Sequence, residues 1–600
     1  MENDNFFVCV LEHIKKIPDH AAVLYKHEGR FRELSYREFG EKVSSVALWL
    51  RQQGIKKGDR VAILSENSVY WAIADMAVIS TGAITVSIYP TLPPREVKYI
   101  LQNSGSTVIF AQNLEQYNKI TDIWKELPRL KKIILFSDAR KTLATDTVTI
   151  ESIFSRIAPD IESLVDVSAA VSSDEPLCII YTSGTTGPPK GVVLTHGNIL
   201  SVLRSILLMI PDRGIIQRNL SFLPLSHALE RIAGLFMSLY LGRTIAFAES
   251  LDTLMVDMKE TAPTHAVVVP RVFEKIFEKI VASVRTQSRL KQNLFWWSVK
   301  TGRDVSAVIS KNASMGMLLR VKYFIAWRIL YGKLHRATGG KLRYFISGGA
   351  PLSTKIAEFF HAAGILILEG WGSTELSAPA TWNSPLAYRF GSVGKPIPGV
   401  YVRILSDGEL IVKGPNVFKE YWRNDEATRE AKDASGWFHT GDIGRIDDDG
   451  YVYITDRKKE LIITAAGKNI SPSNIERLMM SSPYISNIMV YGDRQKYITA
   501  LVVPDTEQVL AYCRENNIDC DGLPLSRIAG VRSLIESELQ RLNNELARFE
   551  QVKKCAILDE DFTVENGMMT PTLKLKRKNI IARYETTILS MYEESAVEAM

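Results

Sequence analysis

Cysteine is scarce in this chain: five in 600 residues, and no two of Cys9, Cys178, Cys513, Cys520 and Cys555 form a C-x-x-C pair. Scattered and odd in number, they argue against a disulfide framework and a structural zinc site. Long apolar runs are missing too. Val69–Tyr89 comes nearest to a membrane span, but it holds Asp75, Ser80, Thr81, Gly82 and Thr85 and reads as a buried helix, a glycine stop and a strand. The first residues, Met-Glu-Asn-Asp-Asn, are acidic where a secretory leader is basic, so a reduced, cytoplasmic setting is expected. There is no internal repeat and no low-complexity tract. Little net charge remains from 73 Lys+Arg and 67 Asp+Glu, a balance of +6. The imbalance is local: Lys275–Arg343 carries fifteen Lys and Arg against two acids, Glu278 and Asp304, and the rest of the chain is net acidic.

What is present is an ordinary globular composition, 46% apolar and 23% charged, which argues against a disordered or fibrous protein. The length allows about four packing units. Strand and helix patterns alternate: Arg60–Leu64, Val69–Thr81, Ala83–Tyr89, Pro94–Gln102 and Thr107–Phe110, resuming with His265–Val269, Val272–Val284, Leu342–Ile346, Thr354–Ala363 and Ile365–Leu368. Such alternation implies parallel sheets covered by helices. From Gly391 to Thr455 the texture changes to short β runs (Val400–Leu405, Glu409–Val412, Tyr451–Ile454), predicting a small antiparallel barrel or sheet. Asp456-Arg457-Lys458-Lys459 then reads as a solvated turn before a smaller α/β unit.

Chemistry is written most densely at Tyr181-Thr182-Ser183-Gly184-Thr185-Thr186-Gly187-Pro188-Pro189-Lys190-Gly191, directly after the apolar run Leu177–Ile180. Glycines and small hydroxylated residues after a strand leave backbone N–H groups free to meet phosphate oxygens. The Walker A spacing is absent, because Gly191 follows Lys190. Ser347-Gly348-Gly349-Ala350-Pro351 follows one strand as a strand-to-helix turn. Glu369-Gly370-Trp371-Gly372-Ser373-Thr374-Glu375 ends the next, and parallel sheets bind ligands at such strand ends. Gly436-Trp437-Phe438-His439-Thr440-Gly441-Asp442 and the basic tail Asn566–Arg577 complete the set.

On these motifs the chain, from about residue 20 to 580, resembles the adenylate-forming (AMP-binding) superfamily and, within it, the long-chain fatty acyl-CoA synthetases. The resemblance implies an α/β fold: a large N-terminal domain of two parallel-rich layers plus a small β-barrel, residues 1–455, and a mobile C-terminal domain, 456–600. The hinge would fall near 456–459, with Lys459 at its centre. Thr182, Ser183, Gly184, Thr186, Gly187 and Lys190 would bind phosphates. Gly348, Gly349 and Ala350 would line the adenine, and the strand end Glu369, Gly370, Trp371 and Gly372 would complete the pocket. The family usually has Tyr where this chain has Trp371, which keeps the stacking face and loses the hydroxyl. Thr374 would contact phosphate and Glu375 would hold Mg²⁺. Asp442 would accept from both ribose hydroxyls, and Arg457 would also reach the ribose. Gly467 would leave room for the pantetheine chain.

By the same resemblance Lys574, Thr185, Glu375 and His227 stand at the reacting centre, with Lys576 as the competitor for the lysine role. The implied chemistry joins a fatty acid to coenzyme A at the expense of ATP. His227, in Leu223–Arg231, begins the acyl-channel wall. Some relatives carry an aromatic gate four residues later, where this chain has Arg231. The stripe Val272, Phe273, Ile276, Phe277, Ile280, Val281 and Val284 reads as core. Between residues 285 and 340, Trp and Phe interleaved with Arg and Lys suit the surface of an anionic membrane, against the alternative of a packed hairpin with a solvated basic face. Two other functions stay open: an acyl-AMP ligase serving a carrier protein, and a non-catalytic fatty-acid-binding or uptake scaffold. Nucleic acid is not expected as a partner, for want of a supporting motif.

Overall fold

Short apolar runs build two large sheets in the computed structural model, which describes residues 5–137, 146–182, 188–210, 212–311, 313–458, 460–465, 469–520, 522–571 and 573–597. Arg60–Leu64 and Ile84–Ile88 are almost wholly buried on both faces, the pattern of parallel strands sandwiched between helices. Among the described residues the first sheet has eight strands in the order 420–421, 190–195, 176–182, 84–88, 60–64, 108–111, 132–135 and 147–149. The second has nine, in the order 395–396, 378–382, 366–373, 344–347, 265–268, 218–221, 244–247, 21–27 and 30–35. Its centre is parallel: Ser347 registers with Glu369 and with Val268.

The covering helices follow from their sequences. Tyr36–Gln52 starts on a capping box in which the Ser35 and Glu38 side chains each accept the other's backbone N–H. Val69–Ser80, capped by Ser68, is buried nearly all round, so it carries no polar face at all. The pattern-predicted elements fall within a few residues of those observed, including the helices Pro94–Ser104, Pro270–Arg285 and Thr354–Ala362.

Where the texture changes, Tyr401–Ile404, Glu409–Lys413, Phe438–Ile446 and Val452–Arg457 form a four-stranded antiparallel sheet. The solvated turn expected at Asp456–Lys459 begins only at Lys458, which is exposed in a turn, while Lys459 lies outside the described residues. The strand Val452–Arg457 runs through Asp456, which is buried, and Arg457 pairs across with Asp442. Charge does not end a strand whose backbone bonds are completed by a neighbour. The C-terminal domain has its own three-stranded sheet, Ile485–Tyr491, Ile498–Pro504 and Val552–Ile557, and its own two apolar clusters.

Candidate active site

Two parallel strands run side by side here: Ser347, the last residue of one, pairs with Glu369 of the other, which continues to Ser373. Gly349 takes a positive φ of 84°, a backbone open to glycine at no steric cost. A Cβ on Gly348 would lie 3.4 Å from the carbonyl of Gly370 and 3.5 Å from Leu229 Cδ2, so three segments converge on this turn. Gly349 and Ala350 are exposed at its crest. Gly372 is required by the next hairpin: a side chain there would overlap the Ala378 carbonyl.

Beside this turn the Asp442 carboxylate is fixed from two sides. The Trp371 indole N–H donates to Oδ2 at 2.8 Å, and Arg457 Nε lies 2.9 Å from Oδ1. Trp371 and Asp442 are both buried, so these charge-assisted bonds set the carboxylate's orientation. Tryptophan therefore does more than keep a stacking face: its N–H supplies a donor to Asp442.

A second carboxylate is held a few residues on. Glu375 lies in the short turn Thr374–Leu376, and the Tyr421 hydroxyl donates to its Oε1 at 2.9 Å. Burial and the Glu375 charge together push the Tyr421 phenol well above its usual range, so it remains a donor. Lys190 Nζ stands 5.0 Å from the centre of the same ring. Thr182 and Lys190 face each other across the antiparallel strands Pro176–Thr182 and Lys190–Thr195. Ser183, Gly184, Thr185, Thr186 and Gly187 lie outside the described residues, as do Lys459 and Gly467.

Lys574 comes from the C-terminal domain. It follows Leu573, whose φ is +58°, in a tight turn where Thr570 N–H donates to the Lys574 carbonyl at 2.8 Å. Its side chain is exposed. Desolvation by the surrounding protein and then the Arg457 charge lower its pKa, while Asp442, Glu460 and Glu375 oppose the shift. Lys576 is turned elsewhere: its Nζ lies 3.6 Å from Glu96. His227 Nδ1 accepts from the Leu229 N–H at 3.3 Å. Burial, then the Lys574 charge, bring its pKa down to about 4, so it is neutral near pH 7. Glu369 is buried and accepts from Leu352 N–H at 3.2 Å; burial raises its pKa to about 7.

Arg231, at the aromatic gate position of some relatives, is fully buried. It pairs with Asp75, its Nε lying 3.0 Å from Oδ2, and lies over Trp71 and Phe236. It anchors the π-helical stretch Glu230–Phe236, in which it lies.

The AMP-binding enzyme family model matches residues 10–422, and that of the AMP-binding enzyme C-terminal domain matches 459–596. This chain belongs to the AMP-binding enzymes. The AMP-binding enzyme is 34% identical over 599 residues to the long-chain-fatty-acid–CoA ligase FadD15 of Mycobacterium tuberculosis, covering 99% of this chain and 98% of that one. It is 31% identical over 618 residues to the human long-chain-fatty-acid–CoA ligase ACSBG1, covering 97% and 84%. In fold it matches the adenylation domain of a carboxylate reductase from Mycobacterium chelonae with a TM-score of 0.77, at 22% identity and covering 99% and 92%.

The site of this AMP-binding enzyme fits Mg²⁺ in one particular way. No cluster of three or more His, Cys, Asp or Glu capable of holding a metal occurs among the described residues. Glu375 is a single carboxylate, oriented by Tyr421 and following Thr374 in the same short turn. That donor set suits an ion completed by phosphate oxygens and water rather than an all-protein cage. Tyr421 itself belongs to no motif in the sequence, and only folding brings it to Glu375.

Proposed function

We propose that this enzyme activates a long-chain fatty acid with ATP and passes it to coenzyme A in two steps at this site. In the first, a carboxylate oxygen attacks the α-phosphorus of ATP, the bond to the bridging oxygen of the β-phosphate breaks, and pyrophosphate leaves. In the second, the coenzyme A sulfur attacks the acyl carbon and the carbon–oxygen bond to the phosphate breaks. AMP departs, and the thiol proton passes to solvent. The first step must bring a carboxylate to a polyanion, so it needs positive charge and alignment.

The observation that carries the reading is the Asp442 carboxylate held by Trp371 and Arg457, with the Lys574 charge felt by His227 and itself subject to those of Arg457, Asp442 and Glu375. Lys574 would meet both the carboxylate and the α-phosphate. Asp442, already oriented by Trp371 and Arg457, would accept the ribose hydroxyls, and the glycine turn at 348–350 would take the adenine. Thr182, Lys190 and the loop between them, Thr185 included, would hold phosphate oxygens. Mg²⁺, when bound at Glu375, would offset phosphate charge. In the same proposal residues 1–455 and 456–600 are the two domains, turning about 456–459. The enzyme works in the cytoplasm, peripherally on the inner face of a membrane whose anionic surface meets residues 285–340.

Pyrophosphate release across acids from acetate to oleate, with and without coenzyme A, tests the function. Release that peaks with long chains and yields acyl-CoA supports it. Adenylate formation without thioester points to a carrier-protein ligase, and no release at all to a scaffold. Lys574→Ala is expected to lower adenylation by at least ~10²–10³-fold, the scale of losing one preorganised partner of the transition state, while thioester formation from supplied acyl-AMP is largely spared. Equal loss in both half-reactions would remove Lys574 from this role.

A further inference from the structure

The helix Met317–Ala326 is apolar on both sides. Its inward side is fully used: Ala326 is buried and the Tyr323 hydroxyl donates to the Ala362 carbonyl at 2.8 Å. The neighbouring helix Arg289–Ile309 lays Phe295, Thr301 and Val305 on the body of the protein. Tyr331 ties this hairpin down through its hydroxyl, which donates to the Ser298 carbonyl at 3.0 Å. The hairpin is therefore a packed part of the fold. A packed hairpin whose outer side met only water would be polar there.

It is not. Met317 and Leu318 are 84% and 71% exposed and Phe324 is 62% exposed, with Val321 and Ile325 open beside them. Their spacing puts all five on one stripe of the helix. Arg320 and Lys322 are exposed between them, and the Arg328 guanidinium lies 6.0 Å from the centre of the Phe324 ring. Residues 289–328 hold eight Lys and Arg and a single acid, Asp304.

We infer that Met317–Ala326, backed by Arg289–Ile309, is the ridge by which the enzyme seats on an anionic lipid bilayer. Charge decides the occupant. A second copy would bring the same cations against themselves, whereas acidic headgroups neutralise them while the five apolar side chains enter the acyl boundary. This deepens the membrane reading of residues 285–340 and is independent of the ligase chemistry.

Co-sedimentation of the full-length enzyme with vesicles of phosphatidylglycerol and phosphatidylcholine, and of phosphatidylcholine alone, tests it. The wild type is expected to pellet with the anionic vesicles at low salt and to be released by high salt. The double variant Leu318→Ser/Phe324→Ser should lower the bound fraction at least fivefold. Arg320→Gln/Lys322→Gln should abolish the preference for anionic vesicles. Both variants should keep wild-type thioester formation on a water-soluble acid, which shows that they fold. Wild type left in the supernatant at low salt overturns the inference. So does equal binding by the variants, or a salt-sensitive dimer on size exclusion that Leu318→Ser/Phe324→Ser dissolves. Vesicle binding without acyl-CoA formation would instead count against the ligase reading alone.

Discussion

Asp442 illustrates how one side chain's usefulness depends on its neighbours. A free carboxylate samples many orientations, but here the Trp371 N–H and Arg457 leave it aimed from both sides. Trp371→Phe keeps a ring face and deletes the donor. Hydrogen bonds to charged groups contribute about 1.5–3 kcal/mol, so KM for ATP should rise about tenfold or more while kcat changes little; steady-state kinetics over ATP concentration decides it. Glu369 makes a different prediction. Its pKa of about 7 lies above its ordinary 4.5, so between those values the folded protein holds a proton that the unfolded chain has lost. That contribution to stability is fullest below pH 4.5, declines with rising pH and is gone above 7. Glu369→Gln can still accept the Leu352 N–H without titrating. It should flatten the fall in stability from pH 5 to 8 by about 1–3 kcal/mol, seen in denaturant unfolding at the two pH values. The residue types at both sites were legible in the sequence, because Asp442 and Glu369 stand inside spaced motifs. Their partners were not. Tyr421 reaches Glu375 from 46 residues away, and no local pattern encodes such a contact.

Elements were the most legible level, since the helix Val69–Ser80 and the strand Ile84–Ile88 are written as apolar runs with a glycine between them. The exception is instructive: Asp456 and Arg457 extend a strand although their charge suggests a turn, because Arg457 finds Asp442 on the next strand. Arg231 was equally opaque. It stands where some relatives carry an aromatic gate, yet it joins two elements through Asp75 of the helix Val69–Ser80, with Thr85 donating to the same carboxylate at 2.7 Å. Both partners of this ion pair are fully buried. Removing one partner of such a pair strands the other charge, at a cost of about 3–5 kcal/mol, whereas replacing both with uncharged groups is often near neutral. Arg231→Ala should therefore destabilise the protein by that amount in urea unfolding. Asp75→Asn/Arg231→Met should recover most of it, because Asn still accepts from Thr85. If the single and double variants lose equally, the pair is not what joins these elements.

At the scale of the whole molecule, the proposed chemistry has Lys574 act only while the C-terminal domain holds it near Asp442 and Glu375, and two of the contacts between the domains are electrostatic. Lys576 Nζ lies 3.6 Å from Glu96, on the helix Pro94–Ser104 of the other domain, and both side chains are partly exposed. Arg477, also from the C-terminal domain, feels the charges of Glu274 and Glu369. Partly exposed pairs contribute about 0.2–1 kcal/mol each, enough to bias a domain orientation and too little to lock it. That scale suits an enzyme whose proposed cycle needs the domain to leave after adenylation. Glu96→Gln touches neither substrate nor Lys574. It should slow adenylation by about two- to fivefold and leave thioester formation from supplied acyl-AMP unchanged or slightly faster. Added salt should slow the wild type toward the variant and affect the variant less, because screening weakens the same contact. Measuring both half-reactions in low and high salt separates this from a general loss of stability, which would depress the two steps together. A variant with wild-type adenylation at every salt concentration would show that the Lys576–Glu96 pair does not hold the domain in place.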